Sequence, residues 1–299
     1  MKKTIVTIGI PAYNEEASCV RLVRDILAQA QKTFSIHKII IYSDGSTDAT
    51  VASLKGLRYR EIVVIAGRRR KGIAFAQNEI ISYAKGDILV LLNADVVVKD
   101  KFFLQKLIAP IRKGVAEMTS GNIIEANPTT FVEKVLYVSM LWKHKVFATY
   151  RNGDNLYTCH GPCRAFSKNY YSSLYFPPKV TEDAYTYLLA KSRSLPYRFV
   201  KSACVTYKLP STLKDHENQS KRFSASSKHL QRYFDKKFIN EQYRLPLFLI
   251  AKNFAVSLLQ FPVESIAYVV ILLFIKMKSI SYRPTDLFDI VASSKEIAL

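Results

Sequence analysis

A chain of 299 residues, 49% of them apolar, has the length and composition for a sizeable core, so disorder is not its default. Forty-four basic against 24 acidic residues give a formal charge of +20, which favours polyanionic partners: nucleic acid, nucleotide phosphates or an anionic membrane surface. Four scattered cysteines, Cys19, Cys159, Cys163 and Cys204, exclude a disulfide framework and point to a reducing, cytosolic setting.

The N-terminus, MKKTIVTIGIPAYNE, carries two lysines and a short apolar run. Gly9 and Pro11 punctuate that run and no small-residue cleavage site follows, so it reads as a first strand rather than a secretion signal. Thr4 to Ile10 is β-branched and predicts a strand closed by Pro11-Ala12-Tyr13-Asn14, and Val20 to Ala30 carries apolar residues at helical spacing. The pattern repeats with a strand at Lys38 to Tyr42, the loop Ser43 to Asp48 and a helix from Ala49 to Leu54. A short strand at Ile62 to Ala66, a helix at Ile73 to Ala84 and a strand at Ile88 to Leu92 follow.

The last of these strands is an uninterrupted apolar run that stops at Asn93-Ala94-Asp95, as a strand covered on both faces does. Alternating strands and helices imply an α/β fold with a mostly parallel sheet and right-handed crossovers. The loops after each strand then gather on one edge, so Asn14, Asp44, Arg68 to Lys71 and Asp95 should converge there. Neither a Gly-x-Gly-x-x-Gly nor a Walker-type loop follows any strand, which argues against a dinucleotide dehydrogenase or a P-loop enzyme.

Beyond Asp95 the regularity falls. Lys99 to Arg112 predicts a helix, Phe131 to Tyr150 an aromatic-rich amphipathic helix, and Cys163 to Lys179 a loop-rich segment. Thr181 is placed to cap a helix over Asp183 to Lys191, with acids in its first turn as ordinary helix starts have. Lys201 to Arg244 is strongly basic, and its plainest reading is a solvated cationic face. Pro246 to Ile275 turns apolar, but its cleanest part, Ile266 to Ile275, is shorter than the roughly 20 residues a membrane span needs. Interfacial or re-entrant helices anchored by Lys276, Lys278 and Arg283 are expected there, the alternative being a buried hairpin that completes a soluble core. Cys159-His160-x-x-Cys163 invites a zinc reading but has no second pair of ligands nearby, and Arg68 to Lys71 favours phosphate contact or a surface run over nucleic acid.

Five stretches occur in one order: Ile10 to Glu15, Ser43 to Asp48, Asn93-Ala94-Asp95, Thr181-Glu182-Asp183 and Gln219 to Phe223. Together they resemble a family 2 glycosyltransferase of GT-A fold, over about residues 4 to 225. The resemblance implies that Pro11, Tyr13 and Glu15 form the first nucleotide-contacting loop and that Asp44 reads the base, usually uracil. Asp95 matches the last acid of an Asp-x-Asp motif, which binds the Mg²⁺ or Mn²⁺ bridging the donor diphosphate. Asp183 of Glu182-Asp183 matches the general base, while Gln219, Arg222 and Phe223 match a Gln-x-x-Arg-Trp signature. In that signature the Arg lies near the diphosphate and the aromatic ring near the acceptor, and Gly161 and Cys163 sit where such enzymes line the acceptor side. Three positions depart from the family pattern: Asn93 and Ser43 replace aspartates, and Phe223 replaces a tryptophan.

The expectation is an inverting, metal-dependent transfer of a sugar from a nucleotide-diphosphate donor, with uridine the expected base. The acceptor is a lipid-linked or saccharide hydroxyl at the cytoplasmic membrane face, which the protein meets as a peripheral or monotopic partner. Residues 1–235 form the catalytic domain in this reading and 236–299 a helical, membrane-associated segment. The competing non-enzyme reading, motivated by the +20 charge and Asn93, is a basic membrane- or nucleic-acid-binding protein on a degenerate transferase scaffold.

Overall fold

The computed structural model describes residues 3–279, without the side chains of 222–228 and 279. Its first half alternates as the apolar pattern demands: β1 (Thr4–Ala12), α1 (Glu16–Leu27), β2 (Phe34–Ser43), α2 (Thr50–Lys55), β3 (Ile62–Ala66), α3 (Ile73–Tyr83) and β4 (Ile88–Leu92). The second half runs α4 (Phe103–Arg112), β5 (Met118–Glu125), α5 (Phe131–Thr149), β6 (Cys163–Ser167), α6 (Lys168–Tyr171), α7 (Glu182–Ser192) and β7 (Tyr197–Tyr207). Four helices close the described chain: α8 (Leu213–Leu230), α9 (Lys236–Tyr243), α10 (Leu247–Gln260) and α11 (Pro262–Ser279).

The seven strands form one sheet in the order β3-β2-β1-β4-β6-β5-β7. β1 pairs in parallel with β2 and β4, and β2 with β3, so these four strands end at one edge. β6 runs antiparallel to both β4 and β5, and β7 lies parallel to β5 with a register shift between Gly121 and Asn122. The segment from Cys163 was expected to be loop, and the structure corrects this: it is a strand inside the sheet followed by a short helix.

β4 shows how the sheet is held. Ile88, Val90 and Leu92 enter one core cluster, against α1 and α4, while Leu89 and Leu91 enter another, against α3 and α7. A strand with both faces covered has no polar face to show, which is why its sequence has no alternation. A third, smaller cluster joins Val135 and Leu136 of α5 to Tyr268 of α11 and Leu209. No helix among the described residues is long and apolar enough to cross a membrane.

Candidate active site

The loops leaving β1 and β2 are stapled together. The Asn14 amide N–H donates to Ser46 Oγ at 3.1 Å, Thr47 N–H donates to Asn14 Oδ1 at 2.8 Å, and Glu15 N–H donates to Thr50 Oγ1 at 2.8 Å. Asn14 has a φ of 52°, a left-handed turn that asparagine tolerates better than most residues and that redirects the chain into α1. Glu15 precedes the first turn of α1 and its carboxylate accepts from Ser18 Oγ at 2.6 Å. Pro11 sits inside β1 in register with Tyr42, leaving Tyr13 at the edge, where the guanidinium of Arg70 lies 4.5 Å from its ring centre.

Asp44 ties this group to the loop after β3. Its carboxylate is buried and accepts from Lys71 N–H at 2.8 Å and Gly72 N–H at 2.7 Å, just before α3 begins. Gly45 lets the basic loop come this close: at φ 71° a Cβ there would stand 2.6 Å from the carbonyl carbon of Arg69. Asp44 therefore holds Arg68 to Lys71 over the sheet edge, and each carboxylate oxygen keeps a further lone pair for another donor. Among these basic residues Arg68, Arg69 and Lys71 are exposed.

A second group forms where β4 ends. Asn93 N–H donates to the Pro162 carbonyl at 3.1 Å, which brings Asn93-Ala94-Asp95 against the loop that enters β6. Within that loop, Gly161 faces Asp183: a Cβ on Gly161 would lie 3.5 Å from Asp183 Oδ2, so its bare backbone leaves room beside the carboxylate. Asp183 stands half-buried in the first turn of α7, and Ala184 N–H donates to its Oδ1 at 2.7 Å. Because β1 lies between β2 and β4 and runs parallel to both, the two groups share one edge of the sheet, as the pattern of strands predicted. Thr181 occupies the N-cap of α7, as expected from the sequence, without a side-chain cap bond.

What holds the Glu182-Asp183 turn was not read from the sequence. Arg164, on β6, is wholly buried, and its guanidinium donates to the Glu182 carbonyl at 2.8 Å and to Thr186 Oγ1 at 3.1 Å. Its Nε and the other terminal nitrogen have no hydrogen-bond partner, and it forms no ion pair among the described residues. A cation is costly to bury, so its place beneath this one turn marks the turn as worth fixing. The available signal was an arginine inside the otherwise apolar Cys163-Arg164-Ala165-Phe166.

Cys163 requires a correction. It is fully buried in the cluster below β4, with Gly121 crowding its sulfur, so its side chain does not line acceptor space. Strand alternation is the reason: Cys163 and Ala165 point to one face of the sheet and Phe166 to the other. Burial pushes the thiols of Cys159 and Cys163 up to about 12, which suits neither a nucleophile nor a metal ligand. Beside them His160 is pushed down to about 3 by burial and then by the nearby His144, so it stays neutral.

Of the signature on α8, Gln219 is exposed, while the side chains of Arg222 and Phe223 lie outside the described residues. Among the described residues no group of three or more His, Cys, Asp or Glu is arranged to hold a metal ion. The donor set at β4 is one carboxylate, Asp95, and the amide oxygen of Asn93 two residues earlier. Such a set fits Mg²⁺ or Mn²⁺ only where substrate phosphates and water complete the shell, as these oxygen-seeking ions allow.

The profile of glycosyl transferase family 2 matches residues 7–174. An undecaprenyl-phosphate 4-deoxy-4-formamido-L-arabinose transferase of Sodalis glossinidius is 32% identical over 99 residues, covering 32% of this chain and 30% of its own. The glycosyltransferase GlyG of Streptococcus pneumoniae is 28% identical over 120 residues, covering 40% of this chain and 38% of its own. The chain thus spans 30% and 38% of the length of these two curated relatives. In fold it resembles the mannosyltransferase PcManGT of Pyrobaculum calidifontis, solved with GDP-Man and Mn²⁺, at a TM-score of 0.61 and 14% identity over 95% of this chain and 77% of that one. Glucosyl-3-phosphoglycerate synthase of Mycobacterium tuberculosis, solved with Mg²⁺ and UDP, follows with a TM-score of 0.55 and 17% identity over 77% of this chain and 79% of that one.

Proposed function

The chain belongs to glycosyl transferase family 2, and on that premise we propose that it moves a sugar from a nucleotide-diphosphate donor, UDP-sugars first, to a lipid-linked or saccharide hydroxyl. The observation that carries this reading is the pairing of Asp183 with the end of β4 through one short loop, Gly161-Pro162. A half-buried carboxylate on one side of that loop and an oxygen donor set on the other are what a single displacement at a sugar carbon requires.

In that displacement negative charge grows on the departing diphosphate while the attacking hydroxyl must lose its proton. Asp183 takes that proton, held in place by Arg164 through the Glu182 carbonyl. Attack from the face opposite the leaving group inverts the anomeric centre. Pro11, Tyr13, Glu15 and Asp44 contact the nucleoside, with Asp44 offering a free lone pair to the base, and the loop it pins sets Arg70 and Lys71 toward the phosphates. Gln219 and Arg222 belong to the donor side of α8, and Glu182, Gly161 and Phe223 to the acceptor side. Asp95, with Asn93, would hold Mg²⁺ or Mn²⁺, which supplies positive charge opposite the leaving oxygens when bound. The relatives named for undecaprenyl phosphate support a lipid carrier as acceptor, and hence work at the cytoplasmic membrane face as a peripheral or monotopic protein.

Asp183→Asn keeps the shape of the first turn of α7 and removes the base. We expect donor binding in calorimetry to stay within a factor of about two, while transfer falls roughly 10²–10⁴-fold. Transfer near the wild-type rate would sink the assignment. Binding of UDP-sugars that gains nothing from Mn²⁺ would instead favour a degenerate scaffold, the reading that Asn93 motivates.

A further inference from the structure

The α10–α11 hairpin is apolar on the face it turns to solvent as well as on the face it turns to α5. Looking inward, toward α5 and each other, its helices place the apolar Phe254, Tyr268 and Ile271 together with the polar Ser257, Glu264 and Ser265, the last only 2% exposed. Ser257 and Ser265 hydroxyls meet at 3.1 Å, and Lys134 of α5 reaches the Glu264 carboxylate at 2.7 Å. Looking outward are Leu247, Phe248, Val256, Leu259, Val263, Ile266, Val270, Leu273, Phe274 and Met277, with Leu259 85% and Phe248 74% exposed. A surface helix in water turns one apolar stripe to the core and a polar face to solvent, whereas this hairpin leaves apolar residues on its solvent face as well. A contiguous apolar face of this kind marks an interaction surface.

We propose that this outer face docks on a lipid bilayer, lying in the plane of one leaflet with Lys252 and Lys276 directed to anionic headgroups. Three observations choose the bilayer. Among the described residues the helices run 14 and 18 residues, about 21 and 27 Å, and none is long and apolar enough to cross a membrane, so a hairpin lying in the leaflet suits them. Both lysines are exposed on the hairpin, and the chain carries +20 overall, which complements an anionic leaflet. A second copy fits less well, because Lys252 stands amid Phe248 and Val256 on the outward face, where a two-fold partner would bring like charges into an apolar contact.

The face also bears on the site. α11 packs against α8, where Lys278 lies 3.5 Å from Glu217 and Glu217 pairs with Lys221 at 2.5 Å, so the helix carrying Gln219 stands directly behind the docking surface. A lipid-linked acceptor leaving the leaflet would meet the protein next to this helix. That last step rests on the proposed transfer to a lipid carrier; the docking itself does not.

The test is flotation of the full chain with phosphatidylcholine vesicles, with and without phosphatidylglycerol, against the Leu259→Glu/Leu273→Glu double variant. The full chain should float with vesicles containing phosphatidylglycerol and stay bound at high salt. The variant should lose about tenfold or more of its partitioning, since two buried leucines contribute roughly that or above. Its melting temperature and its donor binding in calorimetry should match the parent, so a failure of docking is separable from a failure of the transferase reading. Absence of flotation, complete release by salt alone, or a solution dimer that the double variant splits would each overturn the proposal.

Discussion

β4 and α11 are made of nearly the same side chains and meet opposite fates. The five residues Ile88 to Leu92 are each at most 1% exposed, whereas Val263, Ile266, Val270 and Leu273 are each more than half exposed. An apolar run demands removal from water, but it does not say what does the removing. In β4 the neighbours are strands and helices of the same chain. In α11 only the inner face finds such neighbours, and the outer one calls for material from outside.

Truncating each element by the same side chain is the largest test of this difference. Leu91→Ala leaves a hole between β1, β6 and the helices over the sheet, and should cost about 2–5 kcal/mol in urea unfolding. Leu273→Ala removes an exposed side chain and should change stability in solution by less than about 0.5 kcal/mol, while reducing vesicle binding. Equal losses of stability would mean that protein, not lipid, covers the outer face.

The same contrast explains what could be read from the sequence. The first four strands were legible because each is a run of branched apolar residues ended by a polar loop, and their shared edge followed from parallel topology alone. β5 and β7 were not. In β5, Thr119 and Ser120 are fully buried, their hydroxyls donating to the Leu107 and Thr158 carbonyls, so polar letters fill core positions. The register shift at Gly121 and Asn122 breaks the alternation further, and β7 mixes Arg198 and Lys201 among its apolar residues. β6 hid behind Arg164, a charge in the core that serves the Glu182-Asp183 turn. The loops that carry the motif residues gather at one sheet edge as the strand pattern implied, and Cys163 is buried below the sheet because neighbours in sequence alternate across a strand. The hairpin's composition was plain, but its direction was not, since helical spacing does not tell which face looks outward.

Acid should separate the regions next. Burial holds His160 down to about 3 and His216 down to about 4, so both are neutral in the folded chain near neutrality. Unfolded, each takes a proton below about 6.5, so the unfolded state binds more protons and stability falls as pH drops from there toward 4. The melting temperature should decline over that window, and His160→Phe should flatten the decline. His160 sits against Phe199 and His144, on the sheet side, and His216 beside Lys143 beneath α11. A slope unchanged by His160→Phe would place the acid sensitivity under the hairpin instead.

The smallest expected effect concerns the platform beneath the hairpin. Thr130 caps α5: its Oγ accepts from Glu133 N–H at 3.1 Å, and the buried Glu133 carboxylate accepts in return from the Thr129 and Thr130 amides at 2.6 and 3.0 Å. Thr130→Ala removes one half of this box and should cost about 1 kcal/mol, with Thr130→Ser restoring most of it because the hydroxyl is kept. α5 carries both Lys134, which holds Glu264, and Trp142, which packs edge-on against Phe254 and Tyr268 of the two hairpin helices. Fraying its first turn therefore loosens the seat of the hairpin while leaving β4 untouched. Hydrogen exchange in the Thr130→Ala protein should accelerate in the first turn of α5 and at Glu264, with protection along β1 and β4 unchanged. If protection falls equally in both places, the hairpin and the sheet are one cooperative unit, and the difference between them is one of surface alone.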